Sequence, residues 1–270
     1  MRKIIGTVLL SLSILLLIFA CSTSSRENGP KNDRSEKIAQ QVFLIGNGPN
    51  SKETIKDIIE KSGIRKGGYV VILPMTQNKQ DSSAHFLQKE FYEQQIMAVH
   101  ILGFYPDGII ENSDILSIEN ASIIYLLGGN RNKFMKLANK TPLKKSFLRA
   151  YKNGALMAGK GNGASVLGEY YYSQQMDTVS RNIKIELKPG LGLLKNTVVD
   201  DITFFTNYKE GIQKNSTKRG FVFLGLGYKS AVWIKNGEAF VLRESEIGFI
   251  SPGNVKRKLN KGDKFSVTMR

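Results

Sequence analysis

One stretch of the chain has the residue types and spacing to do chemistry: Gly154-Ala155-Leu156-Met157-Ala158-Gly159-Lys160-Gly161-Asn162-Gly163-Ala164-Ser165. An apolar run enters alternating glycines and leaves them into small residues suited to a helix start. Two chemistries use such a bend. In α/β serine hydrolases, glycines two before and two after the nucleophile permit a cramped strand-to-helix turn that lifts the central side chain above the sheet. A glycine-rich turn into a helix N-terminus can also cradle an anion on free N–H groups. Glycine alternation alone does not choose between them. Here the flanking glycines are Gly159 and Gly163, and the central residue is Gly161, which has no atom able to attack a carbonyl. Lys160 places an ammonium beside free backbone amides, an arrangement attractive to a carboxylate.

Other side chains offer little to replace a nucleophile or base. The two histidines, His85 and His100, both precede the bend. His85 falls in a polar amphipathic stretch and His100 near the end of an apolar run, where a surface or hydrogen-bonded imidazole is expected. Ser165 follows the bend by one helical turn and reads as a packed helix serine, with a relocated nucleophile as the rival. Thr203 is no better placed. No spacing of His, Cys or carboxylates suggests a metal site, and no cofactor is implied. Tyr170-Tyr171-Tyr172 reads as packing of helix on sheet, with a pocket lining as the alternative.

The elements that must position the bend follow from periodicity. Apolar runs rich in β-branched residues, Gln41 to Ile45, Tyr69 to Leu73, Met97 to Leu102, Ser122 to Leu127 and Ala155 to Ala158, read as buried strands. Ser51 can cap a helix running to about Ser62, with Gly63 past its end, and Thr141-Pro142 opens another that stops at Gly154. Strand and helix in turn, with continuously apolar strands, predict a mostly parallel, doubly wound sheet covered on both faces, a three-layer αβα sandwich. After about Thr197 the pattern changes. Phe221 to Leu226, Ala231 to Ile234 and Ala239 to Leu242 read as strands, with Asn236-Gly237 as a hairpin turn. They are expected to add antiparallel strands to the edge of the same sheet.

Segments on either side of the bend carry a resemblance. Ile123-Ile124-Tyr125-Leu126-Leu127-Gly128-Gly129-Asn130 lies one helix upstream, and Gly190-Leu191-Gly192-Leu193-Leu194 leads into Val198-Val199-Asp200 downstream. From about residue 40 to 245 the chain resembles the cyanophycinase and peptidase E family of serine peptidases. That resemblance implies the class I glutamine amidotransferase-like, flavodoxin-like fold. It also implies a strand ending in Gly-Gly-Asn, an elbow reading Gly-Thr-Ser-Ala-Gly-Ala, and a later Asp-Gln-His. On this chain the elbow serine falls on Gly161, its neighbours on Lys160 and Asn162, and the histidine on Ile202 within Asp200-Asp201-Ile202. An acidic segment of the family appears as Gly227-Tyr228-Lys229. The framework survives while the nucleophile and histidine do not; Gly128 and Gly129 match the oxyanion-hole loop. Without triad members, only the roughly 10³- to 10⁴-fold catalysis of an oxyanion hole and binding would remain. The expectation is a serine-peptidase-like domain that does not catalyse. It would bind an acidic peptide or a peptide C-terminus through Gly128, Gly129, Asn130, Lys160, Gly161 and Asn162. An active hydrolase and an envelope scaffold are the rival functions.

The chain begins Met1-Arg2-Lys3, followed by an uncharged run from Ile4 to Ala20 and then Cys21, the only cysteine. Basic flank, apolar core and a small residue before a cut make an export signal; a spanning helix is the alternative. Ile18-Phe19-Ala20-Cys21 resembles the lipobox of bacterial lipoproteins. It implies cleavage before Cys21, diacylglycerol on its sulfur, an acyl group on its amine, and a place on a membrane of the bacterial cell envelope. Residues 1–20 are thus expected to be a signal peptide, 21–37 a lipidated flexible tether and 38–270 one α/β domain. Formal charge is +16, compatible with nucleic acid, an acidic polymer or an anionic membrane as neighbour. The positive residues are scattered, densest at Lys256-Arg257-Lys258 with Lys261 and Lys264. A membrane surface is therefore the expected partner, and nucleic acid is not.

Overall fold

The computed structural model describes residues 38–75, 82–103, 110–176, 183–243, 245–252 and 256–270. The expected signal peptide, Cys21 and the tether lie outside them. Residues Ile38–Arg270 make one compact unit.

The chain opens with β1 (Gln41–Ile45), buried throughout. Ser51 then starts α1 (Lys52–Ser62) by accepting from the Thr54 N–H, and Gly63, at φ 69°, ends it. There follow β2 (Val70–Met75), α2 (Ser82–Glu93), β3 (Val99–Ile101), α3 (Asn112–Glu119) and β4 (Ile123–Gly129). Two consecutive helices come next, α4 (Arg131–Lys140) and α5 (Leu143–Lys152). Thr141 serves both: its N–H donates to Leu137 O of the first, and its Oγ1 accepts from the Leu143 N–H of the second. β5 (Leu156–Lys160) and the single turn α6 (Asn162–Ser165) form the expected bend.

Beyond it lie β6 (Gly168–Met176), β7 (Ile183–Pro189), β8 (Leu194–Asp201), α7 (Ile202–Asn207) and α8 (Lys209–Arg219). The chain continues through β9 (Val222–Leu226), β10 (Ala231–Lys235), β11 (Glu238–Val241), β12 (Ile247–Ile250), β13 (Lys256–Leu259), β14 (Lys264–Ser266) and β15 (Thr268–Met269). The β10–β11 connection is the anticipated hairpin, with Asn236 at φ 51° and Gly237 at φ 92°. Positive φ at both central positions is what a type I′ turn requires.

The first sheet has the order β14-β11-β10-β1-β5-β4-β2-β3. β1, β5, β4, β2 and β3 run parallel, and β10, β11 and β14 extend the β1 edge antiparallel. This is the expected mixed sheet with antiparallel edge strands. Not every late strand joins it, however: β9, β12 and β13 belong to a second sheet, ordered β13-β12-β9-β8-β6-β7. Helices and strands pack on both faces of the first sheet. Phe43, Ile72 and Tyr125 meet Ile58 of α1 and Phe91 of α2 on one side. Leu44, Leu126 and Met157 meet Phe134 of α4, Phe147 of α5 and the inner face of the second sheet on the other. The outer face of the second sheet, with Tyr172, Val198 and Phe223, is covered by Phe204 of α7 and Ile212 of α8. Neighbours such as Val198 and Val199 thus point into different cores, as alternate residues of a strand must.

Candidate functional site

The bend after β5 is built by glycines because backbone approaches backbone there. A Cβ on Gly163 would overlap the Leu126 carbonyl oxygen of β4, and one on Gly159 would stand 2.5 Å from Gly163 O. Between them Gly161 sits at φ 55°, ψ −118°, a backbone state that strains any residue with a side chain. Its N–H donates to Ile45 O at 2.9 Å, pinning the bend to the end of β1. The space where a side chain at position 161 would begin is taken by the Oδ1 of Asn47. Asn47 Nδ2 in turn donates to Asp201 Oδ2 at 2.7 Å, and Asp201 Oδ1 accepts from the Thr203 N–H at 2.7 Å, capping α7. Ile202 opens α7, half-buried, beside the exposed Thr203. A glycine, an asparagine amide and an aspartate therefore run in a line across the ends of β5, β1 and β8.

The other predicted residues converge on the same place. Gly129 adopts φ 145°, and a Cβ there would come within 2.7 Å of the Met75 backbone. Asn130 caps α4 by accepting from the Lys133 N–H. Asn162 Nδ2 donates to Gly129 O at 2.8 Å, joining the bend to the Gly128-Gly129 loop. Sequence reasoning did not single out Asn47, since a lone Asn between glycines also marks an ordinary turn.

Beneath the bend lies a buried ion pair. Arg131 Nη1 donates to Asp200 Oδ2 at 2.9 Å and to Ser165 Oγ at 3.2 Å, and its guanidinium lies 5.6 Å from the Tyr171 ring. Asp200 Oδ1 accepts from the Asp201 N–H. Burial pushes the Asp200 carboxyl above the ordinary carboxylate range, with Arg131 and the Asp201 N–H opposing. Ser165 is 1% exposed and bonded on both sides, since its hydroxyl also reaches Gly161 O. His85 is exposed on α2. His100 is exposed on the edge strand β3, separated from β5 by β4 and β2, with its ring against Tyr69. The three tyrosines lie on β6 and alternate: Tyr171 faces the core near Arg131 and Tyr172 stacks on Phe204.

Lys160 lines a cavity of about 410 Å³ with Glu90, Asn50, Phe86 and Leu127. The buried Tyr125 hydroxyl donates to Asn50 Oδ1 at 3.1 Å, and Asn50 Nδ2 donates to Glu90 Oε2 at 2.8 Å. Burial pushes the Glu90 carboxyl up, while Asn50 and the Lys160 charge pull it down. Burial pushes the Lys160 ammonium below the ordinary lysine range, opposed by Glu90. Glu90 carried no sequence signal, being one of several charges on an amphipathic helix.

A mixed α/β scaffold whose fifth strand drives a glycine-framed elbow into a helix start, beside a Gly-Gly-Asn loop, defines the serine-peptidase-like class expected from the sequence. The chain belongs to peptidase family S51, whose profile matches residues 42–242. Among solved structures it is similar to a peptidase from an acI-B1 Actinobacterium, with 19% identity, a TM-score of 0.62, and coverage of 85% of this chain and 98% of that one. It is also similar to a putative peptidase E protein from Listeria monocytogenes EGD-e, at 17% identity and a TM-score of 0.51, covering 77% and 100%. At these identities the likeness is one of fold. Comparison with curated proteins finds no match.

Proposed function

We propose that this S51 domain has lost hydrolysis and holds an acidic or carboxylate-ended peptide at the old elbow, on a lipid anchor at Cys21 in a bacterial envelope. The observation that supports this reading is Gly161: the strand-to-helix bend forms, at φ 55° and ψ −118°, around a residue that has no side chain. Asn47 occupies the adjoining space and Ile202 can take no proton. Lys160 supplies a half-buried positive charge beside the bend, and the first amides of a helix have no partner within it. Charge-assisted contacts to a carboxylate at such a place contribute roughly 1.5–3 kcal/mol.

Calorimetry of the chain with aspartyl dipeptides and a fluorophosphonate probe together test this. The expected result is saturable heat that falls about tenfold in affinity in Lys160→Met, with no fluorophosphonate labelling. No heat at millimolar peptide overturns the binding reading. Labelling abolished by Ser165→Ala would return the protein to the enzymes.

A further inference from the structure

The Gly190-Leu191-Gly192 turn, prominent in the sequence, has no part in the elbow. It forms one wall of a separate cavity of about 360 Å³ into which Lys144, Lys195 and Arg270 all face. One of the three cations is hydrogen-bonded to the turn itself and a second lies against it. Lys144 Nζ donates to Gly190 O at 2.9 Å. The Arg270 guanidinium lies over Gly192, with Nη1 3.5 Å from where a Cβ would stand, and the Arg270 N–H donates to Leu193 O. Lys195, the second residue of β8, is exposed. The one acidic side chain in the wall, Glu169, accepts from the Asn196 N–H at 2.6 Å and so is already engaged. The main-chain oxygen of Arg270 is taken by Gln40 Nε2. Three positive side chains thus share a concave site with one negative side chain, and Lys144 is held partly out of water beside Arg270.

We propose that this cavity binds a phosphate-class anion between Lys144, Lys195 and Arg270. Counted over side chains alone, Glu169 leaves a surplus of two positive charges, which a dianion balances. A guanidinium with two ammoniums suits a phosphoryl group, since Arg presents a planar fork of donors and Lys a point charge. The phosphate can come from a soluble phosphate or from a phospholipid whose headgroup is a phosphomonoester, and the chemistry of the cavity is the same for both.

The test is calorimetry of the full chain in neutral dodecyl maltoside micelles, titrated with inorganic phosphate. Saturable binding is expected, weakened about tenfold by Lys195→Gln or Arg270→Gln and lost in the double variant. Both side chains are exposed, so the melting temperature should not move. A control pair of exposed lysines elsewhere, Lys235→Gln with Lys264→Gln, should leave the affinity unchanged. Absence of saturable heat at ~10 mM phosphate, or equal loss in the control pair, overturns the proposal. Mixed micelles carrying phosphatidic acid, whose monoester phosphate can hold two charges, separate the two sources. Competition with phosphate that depends on Lys195 and Arg270 assigns the headgroup, and its absence assigns a soluble phosphate.

Discussion

Gly161 occupies a backbone state whose strain glycine escapes, so restoring a side chain there is predicted to be harmful rather than neutral. Gly161→Ser should destabilise by about 1–3 kcal/mol from the φ, ψ strain, and further because the new Cβ must displace Asn47 and break its bond to Asp201. The second contribution is separable. In an Asn47→Ala background the same Gly161→Ser change should be milder, and a urea-unfolding double-mutant cycle reads the difference. Equal penalties in both backgrounds would mean that Asn47 does not fill the space a side chain at position 161 would need. Glu90 offers a second test at this scale. Its carboxylate shares the cavity with Lys160, so it opposes any acidic ligand that Lys160 attracts. Glu90→Gln is predicted to tighten aspartyl dipeptide binding at neutral pH by about 1 kcal/mol, roughly fivefold, the scale of one like charge nearby in high dielectric. Calorimetry with the paired Lys160→Met variant checks the sign: the two substitutions must move affinity in opposite directions. The glycines that frame the elbow and the Gly-Gly-Asn loop were legible in the sequence because they meet backbone constraints local to the chain. Asn47 and Glu90 were not, because each gains its role from a partner far away in sequence.

Among the elements, Arg131 joins α4 to β8 and, through Ser165, to α6. Its side chain is 14% exposed and that of Asp200 7%, so the pair is screened little by solvent. Arg131→Leu strands a buried carboxylate and is predicted to destabilise by about 3–5 kcal/mol at neutral pH. The pH dependence has a definite sign. Burial already raises the Asp200 pKa, and removing Arg131 raises it further. A carboxyl with a raised folded-state pKa favours the fold while protonated and loses that contribution as pH rises through it. The deficit of Arg131→Leu against wild type should therefore be full at pH 8 and shrink as pH falls through the raised range in which the Asp200 carboxyl takes up its proton, above the ordinary carboxylate range, as denaturant unfolding at pH 8 and at about pH 4 would show. A constant deficit would mean that Asp200 does not titrate with folding. The strands and caps of the first sheet were readable because their signals are local: five apolar runs, Ser51 and Gly63 around α1, Asn236-Gly237 in the hairpin. The second sheet was not. An apolar run such as Phe221 to Leu226 shows that a strand is buried but not against whom, and β9 pairs with β8 and β12 instead of extending the first sheet.

At the scale of the whole molecule, charge and anchoring need to be told apart. Part of the excess positive charge has a structural use. Arg257 and Lys258, from the densest basic run, lie on β13 at the edge of the second sheet, where charged side chains discourage pairing with another strand. Arg257 also lies 5.0 Å over the Phe249 ring. What remains of the charge can still hold the domain to anionic lipid, and so can an acylated Cys21. Salt separates the two, because charge attraction is screened within ~3 Å at 1 M ionic strength whereas burial of acyl chains, about 0.8 kcal/mol per CH₂, is not weakened by it. After a 1 M salt wash the wild-type chain should stay with bacterial membranes and carry an alkyne-palmitate label. Cys21→Ser should lose the label and, if the uncut apolar run from Ile4 to Ala20 does not insert, leave with the wash. Retention of an unlabelled, uncleaved Cys21→Ser chain is then informative in its own right: it would show the leader holding on as a helix once its cut is blocked. Wild-type protein that is uncleaved and unlabelled would overturn the lipoprotein reading and leave that helix as the anchor.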